Sequence, residues 1–251
     1  MIVIPMAGLS SRFFKAGFDV PKYQLMLAGQ TVFARALQSF ARYFATDLFV
    51  IIVRDVYDTP AFVRQQLDAL GVQNYRICIL PQETDGQAHT VYLGLQQLAE
   101  LQQPDEDEPL YIFNIDTFRY DFVKPAQAAT WDGYLEVFRG EGDHWSFIAL
   151  DDDGRVVRTT EKQRISDLCS DGLYYFKSAR RFMALFAYCQ ANDLTHNGEL
   201  YIAPMYNLMI AAGETVGYVL IAPQDIDFCG TPAEYEHLLK HGLQQTLPHD
   251  C

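Results

Sequence analysis

The residues with the clearest chemical potential lie in a short loop near the start of the chain. PMAGLSSRF (Pro5–Phe13) holds Gly8, which lets a backbone approach a ligand closely and adopt positive φ, and Ser10 and Ser11, whose hydroxyls and neighbouring N–H groups can line an anion nest. Arg12 adds a planar cation matched to phosphate oxygens. Lys22, after Pro21, belongs to a stretch able to fold back over the same place. A carboxylate, Asp116, closes the apolar run Leu110–Ile115, and Glu161–Lys162 forms an adjacent acid–base pair further on. The loop is neither a Walker loop, having no G-K-[ST], nor a G-x-G-x-x-G fingerprint. Each feature also has an ordinary alternative: a strand-to-helix turn with solvated cations, an aspartate capping a strand end, and an exposed ion pair worth ~0–1 kcal/mol.

These residues need elements to position them, and the first half supplies a strand–helix alternation. Apolar runs at Ile2–Met6, Asp47–Arg54, Tyr75–Leu80 and Leu110–Ile115 read as strands, and the unalternated 47–54 run suits a parallel sheet covered on both faces. Helices are expected from about Thr31, over Thr59–Leu70, and from Gly86 to Leu101. Short connections imply right-handed crossovers and a doubly wound, mainly parallel sheet of the Rossmann or GT-A kind. Ligands collect at the carboxyl ends of such strands, where both the glycine-serine loop and Asp116 lie. The second half reads as a mixed-strand extension: short strands at 131–138, 145–150, 156–160 and 172–176, helices at 178–192 and 199–212, a strand at 215–221 and a last helix from Thr231. A single α/β domain spanning 1–251 is expected, with 1–120 as a nucleotide-binding half and 121–251 as an acceptor-binding half.

Composition narrows the partners. A net charge of −13 argues against nucleic acid or an anionic membrane, so any phosphate site must gather the few cations in one place. No run approaches the ~18 apolar residues of a membrane helix, and the N-terminus reads as a strand rather than a signal peptide. Five scattered cysteines without a C-x-x-C pair suit a reducing cytoplasm and offer neither a disulfide framework nor a zinc site. His89, His144 and His196 have no metal-ligand spacing. Trp145 and Tyr175 are weak candidates for an acceptor pocket, and the aromatic run LYYF reads as core.

PMAGLSSRF followed by PKYQL resembles the signature loop of sugar-phosphate nucleotidyltransferases, the nucleoside-diphosphate-sugar pyrophosphorylases, which have a GT-A-type fold. GQAHTV (Gly86–Val91), FNIDT (Phe113–Thr117), EKQRISDLCSDGLYYF (Glu161–Phe176), NGELYIAPMYNLMIAAG (Asn197–Gly213) and DIDFCGTPAEYE (Asp225–Glu236) follow in the family's order. The resemblance implies Mg²⁺ held by Asp116 and Asp227, with Arg12 and Lys22 catalytic. It implies nucleotide contacts from Ala7, Gly8, Ser10, Ser11, Gln82, Gly86 and Gln87, and acceptor contacts from Glu161, Lys162, Gly172 and Glu199. Such an enzyme joins a nucleoside monophosphate from an NTP to a phosphorylated small molecule and releases pyrophosphate, with a sugar 1-phosphate for capsular or cell-surface polysaccharide as the leading acceptor.

Ser10 stands where the family has a second glycine, and Gln163 where it has proline; these departures bear on base and acceptor specificity. No left-handed β-helix tail follows, so an appended acyltransferase is not expected. Three alternatives compete: a cytidylyltransferase acting on a non-sugar phosphate, such as a phosphorylated amino alcohol or amino acid; a GT-A glycosyltransferase, disfavoured because FNIDT lacks a D-x-D; and an inactive homologue. A homo-oligomer is compatible with the sequence.

Overall fold

The computed structural model of the chain describes residues 1–102, 107–195 and 198–244. Residues 104–106 of the acidic 104–109 turn, His196 and Asn197 lie outside the described residues. The central feature is a nine-stranded sheet. Four of its strands, Leu110–Phe113, Ile2–Pro5, Phe49–Arg54 and Tyr75–Leu80, lie side by side in that order and run parallel.

The unalternated sequence of these strands has its cause in the packing. Val50 and Ile52 enter one apolar cluster with the helices Gln87–Gln102 and Ala179–Ala191, through Val91, Leu95, Phe182 and Leu185. Phe49, Ile51 and Val53 enter the other, with Val32–Gln38 and Thr59–Leu70, through Phe33, Leu37, Val63 and Leu67. Both faces are covered, so both sets of side chains are apolar. The doubly wound α/β expectation is met.

Beside Leu110–Phe113 the direction reverses. Leu168–Phe176 runs antiparallel to it and also pairs with Gly133–Arg139 and, at Cys169, with Ser146–Leu150. This strand begins earlier than the expected 172–176, because Gly172 marks an irregularity inside it: the register shifts between Ser170 and Tyr174. Val156–Glu161 pairs with Ser146–Leu150, and Val216–Ile221 lies parallel to Gly133–Arg139. A separate ribbon joins Thr117–Arg119 to Ile226–Phe228. The helix expected over 199–212 is shorter, a 3₁₀ turn at Ala203–Met205 followed by Tyr206–Ala211, since Pro204 favours the start of a helix over its interior. Among the described residues no helix is long and apolar enough to cross a membrane.

Candidate active site

The first strand ends at Pro5, and the chain turns at Ser10, whose φ of 54° is left-handed, into the short helix Ser11–Lys15. Ser10 Oγ accepts a hydrogen bond of 3.1 Å from the Lys22 amide, which fastens the returning segment against the loop. The ammonium of Lys22 is thereby delivered to Asp116, with which it forms an ion pair. The backbone carbonyl of Asp116 accepts from Cys229 N at 2.7 Å, and the turn that follows crosses its carboxylate. A Cβ at Gly230 would lie 3.0 Å from Asp116 Oδ2, so glycine here lets the turn pass close to the carboxylate. The next helix, Pro232–His241, fixes it with a capping box. Thr231 Oγ1 accepts from Glu234 N, while Glu234 Oε2 accepts from Thr231 N at 2.8 Å and Gly230 N at 2.9 Å.

A second turn faces the same cavity. Gly86 has φ of +99°, and a Cβ there would stand 2.9 Å from the carbonyl oxygen of Leu200. Leu200 N donates to Asp85 O and Leu200 O accepts from Ala88 N, a crossing that brings Glu199 to the cavity. Gln87 Nε2 donates to Asn114 Oδ1, and the hydroxyls of Thr84 and Thr90 lie 2.6 Å apart. The resulting cleft has a volume of about 550 Å³.

Ala7, Gly8, Ser10, Ser11, Arg12, Lys22, Gly86, Gln87, Asp116 and Glu199 all line this cleft. Gln82 does not; it is exposed outside, and Thr84, two residues nearer the Gly86 turn, lines the cleft instead. Asp227 is the larger correction. Its carboxylate is buried, accepting from the Tyr120 hydroxyl at 2.5 Å and Gln244 N at 2.9 Å, and it faces a different cavity beside Phe138, Trp145 and Phe228. The ribbon register is the cause: Asp227 lies opposite Phe118 and Phe228 opposite Thr117, which leaves Cys229 beside Asp116. Trp145 packs on Phe138 and Phe228, and Tyr175 is core.

The expected acceptor residues are also redistributed. Gly172 has φ of +93°, and a Cβ there would meet Asn114 Nδ2 at 2.1 Å, so the space is kept for Asn114 rather than for a ligand. Glu161 is buried and its Oε2 accepts from Ser146 Oγ at 2.5 Å. Lys162 donates to the Tyr201 hydroxyl at 2.6 Å and lies 3.8 Å from Glu161 Oε1. Neither Glu161 nor Lys162 is among the residues lining the cleft. Burial alone would depress the Lys162 ammonium, yet the bond to Tyr201 and the charges of Tyr201, Glu161 and Glu199 outweigh it and hold its pKa above the usual lysine value. Thr84, Thr90, Asn114 and Gly230 are cleft residues that the sequence reading missed. Asn114 carried no local signal: the strand ends at Phe113, so its two-residue spacing from Asp116 is not a strand-face relation.

The donor set defines what cation the cleft can hold. Asp116 with the oxygens of a bound phosphate fits Mg²⁺, which is commonly held by one or two carboxylates plus substrate phosphates. The two-aspartate clamp does not fit, and among the described residues no group of three or more His, Cys, Asp or Glu is placed to hold a metal. Arg12 is exposed and makes no ion pair among the described residues, so its guanidinium is available to an anion.

The Gly8 loop, exposed Arg12 and the Lys22–Asp116 pair gather in one cleft at the carboxyl ends of parallel strands, the place where ligands collect in such sheets. Similarity to solved structures gives the class. The crystal structure of the nucleoside-diphosphate-sugar pyrophosphorylase from Vibrio cholerae RC9 is 49% identical, over 96% of this chain and 100% of that one, with a TM-score of 0.92. The chain belongs to the nucleoside-diphosphate-sugar pyrophosphorylase family and is a nucleotidyltransferase. A glucose-1-phosphate thymidylyltransferase from Bacillus anthracis (15% identity, 99% and 96% coverage, TM-score 0.75) shares its fold. So does an inositol-1-phosphate CTP transferase from T. maritima (15% identity, 99% and 97% coverage, TM-score 0.70). No family model and no curated protein matches the chain.

Proposed function

We propose that this chain transfers a nucleoside monophosphate from an NTP to a sugar 1-phosphate and releases pyrophosphate, in the cytoplasm, supplying a precursor for capsular or other cell-surface polysaccharide. The observation that carries this reading is the Lys22–Asp116 pair, set in one cleft with Arg12 and the loop around Gly8. An oxygen of the acceptor phosphate attacks the α-phosphorus; the bond to the bridging oxygen breaks, and pyrophosphate leaves with that oxygen. Mg²⁺ on Asp116 would supply charge neutralisation between the two anions. The chain's own work is positioning and electrostatics. Arg12 stabilises charge on the transferred and leaving phosphates, and Lys22 holds phosphate oxygen next to Asp116. Residues 1–120 form the nucleotide-binding half and 121–251 the acceptor-binding half of one domain. Glu199 accepts hydrogen bonds from acceptor hydroxyls, and Lys162, bonded to the Tyr201 hydroxyl, stands outside the cleft lining near it.

A cleft carboxylate such as Glu199 serves an acceptor ammonium as well as a hydroxyl, which keeps a phosphorylated amino alcohol or amino acid as the second reading. The test is pyrophosphate release from each of the common NTPs with Mg²⁺, across sugar 1-phosphates, phosphocholine and phosphorylated amino acids. Release with one base and a sugar 1-phosphate, abolished by EDTA, is expected. Release only with an amino-alcohol phosphate selects the second reading, and no release from any pair overturns both.

A further inference from the structure

Two carboxamides in the cleft are joined to each other in a way the transfer step leaves unused. Gln87, the first residue of the helix Gln87–Gln102, donates from Nε2 to Oδ1 of Asn114. Asn114 directly follows the strand Leu110–Phe113, and it and Asp116 both line the cleft, with buried Ile115 between them. Its carboxamide is hemmed in from a third side by Gly172, where a Cβ would fall 2.1 Å from Nδ2 and 2.6 Å from Cγ. The chain gives up a side chain at 172 and accepts a φ of +93° there. The result is a carboxamide held in place before any ligand arrives, which lowers the entropy cost of binding.

With Asn114 Oδ1 committed to Gln87, the pair offers a donor, the Asn114 NH₂, beside an acceptor, Gln87 Oε1. Neither of these two atoms has another hydrogen-bond partner among the described residues. A donor next to an acceptor is the complement of a vicinal diol, whose hydroxyls both give and take hydrogen bonds. The pair lies between Asp116, where the transfer reading puts phosphate, and the Gly86 turn, whose GQAHTV is similar to the family's base-contacting turn. The part of a nucleotide that spans those two places is the ribose. We propose that Gln87 and Asn114 bind the 2′- and 3′-hydroxyls and make the enzyme select ribonucleoside over 2′-deoxyribonucleoside triphosphates. This rests on the nucleotidyl-transfer reading above. A site prepared for a hydroxyl rejects the analogue lacking it because its own polar groups are left unpaired. The pair is half-buried, so discrimination of about 10–100-fold is expected rather than the larger ratios of fully enclosed sites.

The experiment compares kcat/KM for the preferred NTP and its 2′-deoxy analogue, with Mg²⁺, in the wild type, Asn114→Ala and Gln87→Ala. Thermal stabilisation by the same two nucleotides without acceptor is the parallel binding readout. The expected result is a wild-type ratio of about 10–100 that falls to within about threefold of unity in Asn114→Ala and falls partway in Gln87→Ala, with the loss confined to the ribonucleotide. A wild-type ratio near one, or equal losses for both nucleotides in the variants, overturns the assignment. If Asn114→Ala does not fold, Gln87→Ala alone decides it by the same ratio. A wild type that neither turns over nor is stabilised by any NTP refutes the nucleotidyl-transfer reading itself, a different outcome from an active enzyme blind to the 2′-hydroxyl.

Discussion

The cleft around Asp116 and the neighbouring cavity around Asp227 each present one aspartate, from the turn after Leu110–Phe113 and from within Ile226–Phe228, yet they use it differently. At Asp116 the acid is half-exposed and balanced by the ammonium of Lys22, a side chain long enough to move. Close by, Arg12 has no ion-pair partner among the described residues. At Asp227 the carboxylate is buried and holds the Tyr120 hydroxyl and Gln244 N, with aromatic rings around it. The same contrast recurs between Glu199, facing the cleft, and Glu161, bonded to Ser146 beneath the surface. A charge that is to meet a ligand is left with solvent or a movable partner; a charge that holds the fold is hydrogen-bonded from within, since burial without partners is costly.

The strongest way to break this comparison is to truncate the two aspartates in parallel. Asp116→Ala is expected to lower kcat by about 10³-fold with an unchanged Tm, since it removes the carboxylate that several kcal/mol of metal-assisted charge stabilisation depend on. Asp227→Ala is expected to keep kcat within about threefold while losing about 1–3 kcal/mol in urea unfolding, because Tyr120 and Gln244 lose their acceptor. A dead but fully stable Asp227→Ala enzyme would return that residue to the metal site. Arg12→Ala should cost roughly 10²-fold in kcat, by comparison with loss of one transition-state donor, and leave Tm unchanged. Gly172→Ala should lower stability by about 1–3 kcal/mol for its left-handed backbone and also reduce nucleotide affinity, since the new methyl takes the place of the Asn114 carboxamide. Isothermal titration and urea unfolding of that variant separate the two effects.

The smallest effect sharpens the structural side. Asp171 is buried next to Glu136; burial first, then the Glu136 charge, push its carboxyl well above the ordinary range, against the Leu173 amide and Arg119. The native state therefore keeps a proton that the unfolded chain releases near pH 4. Stability from this group is complete below that pH and declines as pH rises through the folded value, by at most about 1.4 kcal/mol per pH unit. Asp171→Asn, which resembles the protonated acid, should flatten that decline in Tm measured from pH 4 upward; an unchanged slope would show that the proton is not held there.

Much of the architecture was legible because the signals are local. The strand Tyr75–Leu80 and the helix expected over about Thr59–Leu70 both stand where the sequence put them, and the glycine-serine loop was read from residue type alone. The mixed half was legible only in outline. Leu168–Asp171 carries polar and small residues, yet it is wholly buried as an inner strand, paired with Gly133–Arg139 and, at Cys169, with Ser146–Leu150. Asn114 gave no sign of its importance until Gly172, distant in sequence, was seen to make room for it.

The sequence by itself determined the class of sheet, the anion-receptive loop, the cation beside it and the aspartate at the strand end, since each follows from side-chain chemistry and short-range periodicity. Only the tertiary structure decided that Asp227 turns away, that Gln82 stays outside and that Gln87 meets Asn114. Those outcomes depend on ribbon register and on backbone crossings between segments far apart in the chain. A one-residue difference in register sends a side chain to the other face, and no local pattern in DIDFCG records which way it fell.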